Sequence, residues 1–195
     1  MDKYDANNDH YCYPNTTVLK NKLNIQDMNE LENAEREITA LTIQSINFKK
    51  FPYDLNYMKE LHFKLFSNLY TWAGQVRDVD ISKGGTRFCT CSRIEIEAKK
   101  LFSQLEGKSW LTGLEINDFC EKLAEFYIEF NMIHPFREGN GRVQRLLFEH
   151  IALAASYDLN WDNVSKTEWI QANIDGVNVN YSPMEAIFKR IVTSI

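Results

Sequence analysis

The residue types best suited to chemistry lie in one twelve-residue stretch, "HPFREGNGRVQR", at residues 134–145. His134 is a candidate general base, because imidazole titrates near neutral pH and can take a proton from an attacking hydroxyl. Glu138 would repel a bound phosphate unless a divalent cation lay between them, and Mg²⁺ commonly binds one or two carboxylates together with substrate oxygens. The two residues together predict acid–base chemistry beside a magnesium-bound polyphosphate.

The glycines and arginines of the same stretch predict an anion site. Gly139 and Gly141 flank Asn140, so the backbone can adopt positive φ values and point successive N–H groups into one concavity at the start of a helix. Arg142 and Arg145 would lie on nearly the same face of that helix's first turn. Cations there oppose the helix dipole by about 0.3–1 kcal/mol each unless an anion is bound. A polyphosphate would remove that penalty.

Each of these residues also has an ordinary structural explanation. A histidine before Pro135 is often a capping or packing residue, Gly–Asn sequences mark common turns, and arginines on a helix usually form a solvated face. We interpret Phe136 as a core anchor for the loop. The joint occurrence of all these types in twelve residues, between two apolar helices that can hold the loop rigidly, favours a functional site.

Seven segments show helical spacing of apolar residues and predict a mainly α fold. The first begins at Asp27, a candidate N-cap. The segments are "DMNELENAEREITALTIQSI", "DLNYMKELHFKLFSNLY", "SRIEIEAKKLFSQLE", "NDFCEKLAEFYIEFNMI", "GRVQRLLFEHIALAASY", "SKTEWIQANID" and "SPMEAIFKRIVTS". We interpret residues 1–26, which are polar and rich in turn formers, as an N-terminal arm, and residues 27–195 as a single domain with its core at about 54–190.

One stretch departs from helical spacing. Residues 76–89, "VRDVDISKGGTRFC", alternate apolar and charged side chains and then turn at Gly84 and Gly85. This pattern predicts a short β-hairpin. Because an isolated two-stranded hairpin is only marginally stable, it must lean on helices or receive a further strand from a partner.

The composition limits the possible functions. The chain has 195 residues, of which 44% are hydrophobic, enough to fill a single core. A net charge of −5 argues against direct nucleic-acid binding as the main activity. There is no apolar run of about 18 residues, so no membrane partner is expected. The four cysteines show no CxxC spacing and follow no signal-like segment, which favours a reduced, cytoplasmic protein.

Residues 134–145 resemble the signature HxFx(D/E)GNGRxxR of the Fic family (filamentation induced by cAMP), with every specified position filled. "LFSNLYTWAGQVRDVDISKGGTRFC" resembles the family's segment leading into its target-docking flap, and "YCYPNTTVLKNKLNI" resembles the N-terminal arm of the small bacterial cell-filamentation members. The resemblance implies a helical Fic bundle with a β-hairpin flap. It also implies a protein adenylyltransferase, which moves AMP from ATP to a Tyr, Thr or Ser hydroxyl of a target protein.

The resemblance further implies a role for each matching residue. His134 would deprotonate the target hydroxyl, and Glu138 would hold Mg²⁺ bridging the α and β phosphates of ATP. Arg142 would contact the β and γ phosphates and Arg145 the γ phosphate, above a cradle formed by Gly139, Asn140 and Gly141. The target would add as a strand to the flap, residues 80–88. The flap residues are Asp80, Ile81, Ser82, Lys83, Gly84, Gly85, Thr86, Arg87 and Phe88.

One departure concerns regulation. Many Fic proteins are restrained by a helix carrying (S/T)xxxE(G/N), in the same chain or in a small antitoxin, whose glutamate pairs with the second signature arginine. No glutamate of this sequence has Ser or Thr four residues before it. We therefore expect restraint in trans, from an antitoxin-like partner whose glutamate meets Arg145. Two alternatives stay open: another phosphate-containing donor, or a catalytically lapsed nucleotide-binding interaction protein, against which the intact His134 argues.

Overall fold

The computed structural model describes residues 9–195, and residues 1–8 of the predicted arm lie outside the described part. Two small antiparallel sheets accompany the helices, which confirms the mainly α fold and the hairpin. The described part contains seven α-helices: α1 (Met28–Ile43), α2 (Leu55–Phe66), α3 (Ile94–Gly107), α4 (Ile116–Ile133), α5 (Asn140–Ala154), α6 (Lys166–Val177) and α7 (Ser182–Ile191). Its strands are β1 (Ser82–Lys83), β2 (Thr86–Arg87), β3 (Tyr157–Leu159) and β4 (Val192–Ser194).

Helix α4 lies at the centre of the fold and packs against α3, α5, α6 and α7. Half of its eighteen residues are buried, so it is apolar around most of its circumference, as a central helix must be. It ends at Ile133 because His134 adopts a left-handed conformation (φ 42°, ψ 66°) and Pro135 follows, which disfavours helical backbone at the residue before it. The central helix therefore delivers His134 to a fixed place.

Helix α1 begins where the sequence predicts. Asp27 accepts a hydrogen bond from the backbone N–H of Glu30 at 2.9 Å, and Asp54 caps α2 in the same way through Tyr57 at 2.8 Å. Such caps contribute about 1 kcal/mol each by satisfying N–H groups that the helix leaves unpaired. Helix α2 packs on both α1 and α5, and so forms the floor beneath the signature loop, residues 134–140.

The predicted hairpin is two residue pairs long. Ser82 pairs with Arg87 and Lys83 with Thr86. Both turn glycines have positive φ, +54° at Gly84 and +84° at the next residue, as in the turn that matches the twist of hairpin strands. The hairpin leans on α4, because the N–H of Cys89 donates to the carbonyl of Met132 at 2.9 Å.

The C-terminal segment corrects one prediction. The seventh helical pattern extends through residue 194, but α7 ends at Ile191 and the next three residues form β4, which pairs antiparallel with β3. β-branched Val192 and Thr193 favour extended backbone, and the positive φ of Ser156 (68°) ends α5 and turns the chain into β3. Helical spacing alone gave no sign of this long-range pairing.

The described part of the predicted arm, residues 9–26, packs onto the helices through buried Tyr11, Cys12, Val18 and Leu19. Beside them, Asp9 accepts hydrogen bonds from the guanidinium of Arg137, with its Oδ2 at 2.9 Å from Nε, in an almost fully buried ion pair. The arm thus contacts the signature loop directly. The boundary at residue 26 stays a prediction.

The cysteines and the helices also relate to the predictions made from the composition. No disulfide joins any of the four cysteines, all of which lie within residues 9–195. Among the helices of that range, none is long and apolar enough to cross a membrane.

The contact between α6 and α4 yields a stability prediction. A Cβ added at Gly176 would lie 2.5–2.7 Å from three side-chain atoms of buried Ile128, closer than packed atoms can approach. Gly176→Ala should therefore lower the free energy of unfolding by about 1–3 kcal/mol. Gly107→Ala is the matched control, because open space surrounds that helical glycine and alanine is the better helix former there. Urea unfolding followed by circular dichroism measures both; equal midpoints for Gly176→Ala and the parent chain would contradict the packing argument.

Candidate active site

His134 is buried, with 7% of its surface exposed. Its Nδ1 lies against the backbone carbonyl of Asn131, which can only accept, so Nδ1 carries the proton and the lone pair is on Nε2. Burial lowers the pKa of His134 to about 3, so the imidazole is neutral at neutral pH. The side chain is thus held in the protonation state and tautomer that a general base requires.

The flap contacts this imidazole directly. The ring of Phe88 stacks on that of His134, with centroids 3.8 Å apart and planes 18° from parallel. Phe88 follows strand β2, and its N–H donates to the carbonyl of Ile81 at 3.3 Å, which extends the hairpin by one more pair. The last residue of the flap and the candidate base therefore form one packed unit.

The loop between α4 and α5 is closed by the side chain of Asn140. Its Oδ1 accepts the N–H of Phe136 at 2.8 Å and its Nδ2 donates to the carbonyl of the same residue at 2.7 Å. Phe136 is completely buried and stacks on His62 at 4.1 Å. His62 in turn bonds the carbonyl of Glu138 through Nε2 (3.1 Å) and accepts the N–H of Gly74 (2.8 Å). Sequence analysis assigned no role to His62, which fixes the loop from below.

Gly139 is required by both conformation and space. It has a φ of +80°, and an added Cβ would lie 2.3 Å from the ring of Phe66. Helix α5 begins at the next residue, Asn140, so the first unpaired N–H groups of that helix emerge from the buried loop. Gly141, by contrast, is exposed, with open space around its Cα. This geometry supports the predicted anion site.

Glu138 is a buried carboxylate whose charged form is disfavoured. Burial raises its pKa first and nearby Glu35 raises it further, whereas the N–H of Gly139 (2.9 Å) and Arg142 act in the opposite direction. A bound cation would stabilise the charged form of this carboxylate. No cluster of three or more His, Cys, Asp or Glu side chains occurs within residues 9–195. A single carboxylate suits Mg²⁺, which can take its other ligands from phosphates and water.

Arg142 is held by α1. Its Nη2 bonds the carboxylate of Glu35, its Nη1 donates to the hydroxyl of Thr39 at 3.1 Å, and its guanidinium lies over the ring of Phe66 at 4.9 Å. Glu35 is only 4% exposed and also accepts the Tyr70 hydroxyl at 2.6 Å.

Sequence analysis missed Glu35. The available signal was its position four residues after buried Leu31 and four before Thr39, on the inward face of an amphipathic helix. A carboxylate on that face needs a buried partner, but the sequence does not say which.

Arg145 has different neighbours from Arg142. Its exposed side chain lies over the rings of Trp161 and Trp169, at 5.2 and 5.3 Å from their centroids. The spacing of the two arginines predicted a shared direction, whereas the structure turns one toward α1 and the other toward α6. The phosphate-binding role of Arg145 stays a prediction.

A cavity of about 270 Å³ lies between the flap, His134 and the start of α5. Among its lining residues are Lys83 and Phe88 of the flap, His134, Gly141 at the start of α5, and Trp169 of α6. The candidate base, the exposed start of α5 and the flap therefore open onto the same space.

Some of the nine predicted flap residues line the cavity, and others support the hairpin. Those that line the cavity are Lys83, Gly84, Thr86 and Phe88. Asp80 instead supports the hairpin, because its carboxylate accepts the N–H of Cys91 at 2.7 Å and a guanidinium N–H of Arg87 at 3.0 Å. The hydrogen bond from the Cys91 N–H has the largest effect on the pKa of Asp80 and lowers it. Burial acts in the opposite direction, but the hydrogen bond from Arg87 adds to the lowering, so the pKa of Asp80 is lowered overall. Ile81 is buried beneath the hairpin.

Comparisons with known proteins agree with this geometry. A sequence profile of the Fic/DOC family matches residues 52–152. The chain is similar to the "Probable protein adenylyltransferase Fic" of Escherichia coli K12, 38% identical across 98% of this chain and 96% of that protein. It is also similar to the "Protein adenylyltransferase VbhT" of Bartonella schoenbuchensis, 37% identical across 99% of this chain but only 41% of that protein. Among solved structures, BepC of Bartonella tribocorum with bound AMPPNP superposes with a TM-score of 0.88 at 28% identity, covering 95% and 97% of the two chains.

The two loop glycines give separable predictions. Gly139→Ala should destabilise the protein and abolish nucleotide binding, because the new Cβ would overlap Phe66 and the positive φ is unfavourable for alanine. Gly141→Ala should leave the melting temperature unchanged or slightly raised, since space is open, yet weaken nucleotide binding if phosphates approach the backbone there. Thermal unfolding and calorimetric titration with ATP would measure both effects. Unimpaired ATP binding by Gly141→Ala would count against the anion site.

The buried histidines predict a pH dependence of stability. Burial lowers the pKa of both His62 and His134 to about 3, below the value near 6.5 expected in the unfolded chain. Between these values the unfolded state binds more protons, so stability is full above pH 6.5 and falls as the pH drops toward 3. The slope is about 1.4 kcal/mol per pH unit for each histidine.

Urea unfolding at several pH values between 7.5 and 4.5 tests this dependence. His134→Gln should reduce the slope by one proton's share. An unchanged slope in His134→Gln would show that His134 is already protonated in the folded state.

Proposed function

Because this chain belongs to the Fic/DOC family, we propose that it is a protein adenylyltransferase, which transfers AMP from ATP to a Tyr, Thr or Ser hydroxyl of a target protein. The observation that carries the proposal is the neutral imidazole of His134, whose Nδ1 proton is engaged by Asn131, on the same cavity as the start of α5. The adenylyltransferase names of the relatives from Escherichia coli and Bartonella schoenbuchensis support the same activity.

The transfer uses His134 as general base. The hydroxyl oxygen of the target attacks the α phosphorus of ATP while Nε2 of His134 takes the hydroxyl proton. The bond from that phosphorus to the bridging oxygen breaks, and diphosphate leaves with the electron pair. General base catalysis of this kind contributes about 10²- to 10⁴-fold in rate. Because burial keeps the pKa of His134 low, the base is available without prior deprotonation.

The phosphates of ATP bind at the start of α5. The cradle is assigned to the backbone N–H groups of Gly139, Asn140 and Gly141, of which that of Gly139 must leave the Glu138 carboxylate, and Arg142 contacts the β and γ phosphates. Glu35 and Thr39 hold that guanidinium in place, so it need not be ordered during binding.

Arg145 is assigned to the γ phosphate. Its side chain is exposed and lies over two tryptophan rings beside the start of α5.

Glu138 is the residue that would hold Mg²⁺. When bound, the metal neutralises phosphate charge and stabilises the departing diphosphate. The raised pKa of Glu138 fits this assignment, since burial and nearby Glu35 outweigh the groups that stabilise its charge.

The flap binds the target, and a partner restrains the enzyme. Lys83 and Thr86 face the cavity beside His134, where an added strand could present its hydroxyl. Glu35 pairs with Arg142, whereas Arg145 is exposed and is assigned to an antitoxin-like partner carrying (S/T)xxxE(G/N). Cysteines without disulfides fit a reducing, cytoplasmic setting.

The test is label transfer to the proteins of a cell lysate, with Mg²⁺ and ATP radiolabelled at either the α or the γ phosphate. The α label should enter protein and the γ label should not. His134→Ala should reduce α-label transfer by at least 10²-fold while ATP binding persists. His10→Ala is the matched control and should transfer at the parental rate.

Two results would contradict the proposal. Transfer of the γ label would indicate a different reaction, and full activity in His134→Ala would remove the base from the mechanism. Label transfer by the purified chain without any partner is the result expected if restraint is supplied in trans.

A further inference from the structure

Arg77 is a fully buried arginine that the mechanism above does not use. Its side chain has 0% exposure. A buried guanidinium must be compensated by hydrogen bonds or by an opposite charge. The carboxylate of Asp80 is 4.0 Å from Nη1 but is partly exposed and already bonds the N–H of Cys91 and the side chain of Arg87. Close backbone carbonyls must therefore supply much of the compensation.

These carbonyls come from three separate places around the site. Nη1 donates to Val79 at 2.7 Å, immediately before the flap, and Nη2 donates to Cys89 at 2.5 Å, immediately after it. Nε donates to the carbonyl of His134 at 2.8 Å. One guanidinium thus bonds both ends of the flap and the backbone of the candidate base.

Arg77 also pairs a backbone carbonyl at the C-terminal end of α4. The last carbonyls of a helix have no partner within it. Nη2 of Arg77 donates to the carbonyl of Ile133 at 3.4 Å, and the backbone N–H of Arg77 donates to the carbonyl of Pro135 at 2.9 Å. A cation at a helix C-terminus is favourable, and the planar fork of arginine fixes the directions of its bonds as a lysine cannot.

We propose that Arg77 is a positioning residue that sets the distance between the flap and the imidazole of His134, and so aligns a flap-bound target hydroxyl with Nε2. The inference rests on the proposed function, because it assumes that the flap holds the target. Its consequence is geometric: a displacement of about 1 Å between reacting groups can reduce the rate about 10²-fold. ATP, which binds at the start of α5, should be affected far less.

The test compares Arg77→Lys, which keeps the charge and loses the fork, with Arg77→Gln, which loses both. Arg93→Lys is the matched control, because Arg93 is 56% exposed and forms a surface ion pair with Glu97 of α3. Three quantities are measured: AMPPNP binding by calorimetry, α-label transfer to lysate protein as a function of lysate concentration, and hydrogen exchange of the flap amides.

Arg77→Lys should bind AMPPNP within about threefold of the parent, transfer label about 10²-fold more slowly at equal lysate concentration, and exchange its flap amides faster. Arg77→Gln should lose more in transfer and exchange, and Arg93→Lys should match the parent in all three measurements. A purely structural role would change the melting temperature without separating nucleotide binding from transfer.

Three results would overturn the inference: parental transfer by Arg77→Lys, equal losses of AMPPNP binding and transfer, or failure of both Arg77 variants to fold. The last would mean that the whole fold, and not the flap, requires Arg77. If the parent chain transfers no label, the proposed function fails, and hydrogen exchange still reports whether Arg77 couples the flap to α4.

Discussion

The structure depends on the burial of a loop. Residues 134–140 connect two helices yet are all buried, whereas connecting segments normally lie on the surface because their polar groups need water. Each N–H, carbonyl and charge of such a loop must find a partner within the protein. Asn140 supplies two of these bonds, His62 bonds the carbonyl of Glu138, and Arg77 bonds that of His134. These contacts fix the backbone of the loop between α4 and α5.

The same burial sets the electrostatics of the site. Removal from water keeps His134 neutral and raises the pKa of Glu138, so one loop holds a proton acceptor and a carboxylate that a cation would stabilise. Glu35 contributes twice, by holding Arg142 and by raising the pKa of Glu138 further. A cation bound beside Glu138 would offset the effect of burial on its carboxylate.

The sequence predicted those parts of this arrangement that depend on residues close together in the chain. The helices followed from apolar spacing, the hairpin from alternation and its two glycines, and the candidate site residues from twelve contiguous positions. Contacts between distant segments were beyond it. Neither Glu35 nor Arg77 lies near residue 134 in sequence, and their buried partners depend on how α1 and the flap pack against the loop. The pairing of β3 with β4 was missed for the same reason, since its residues lie more than thirty positions apart. The roles assigned to the site residues stay predictions.

The ion pair between Asp9 and Arg137 joins residues 128 positions apart. Contacts of such long sequence separation form late, because the entropy of closing the intervening chain must first be overcome. During synthesis, Asp9 emerges from the ribosome long before its partner, which follows the central helix α4. The arm can therefore fix the signature loop only after residue 137 has been synthesised, and a chain truncated before that residue lacks this ion pair.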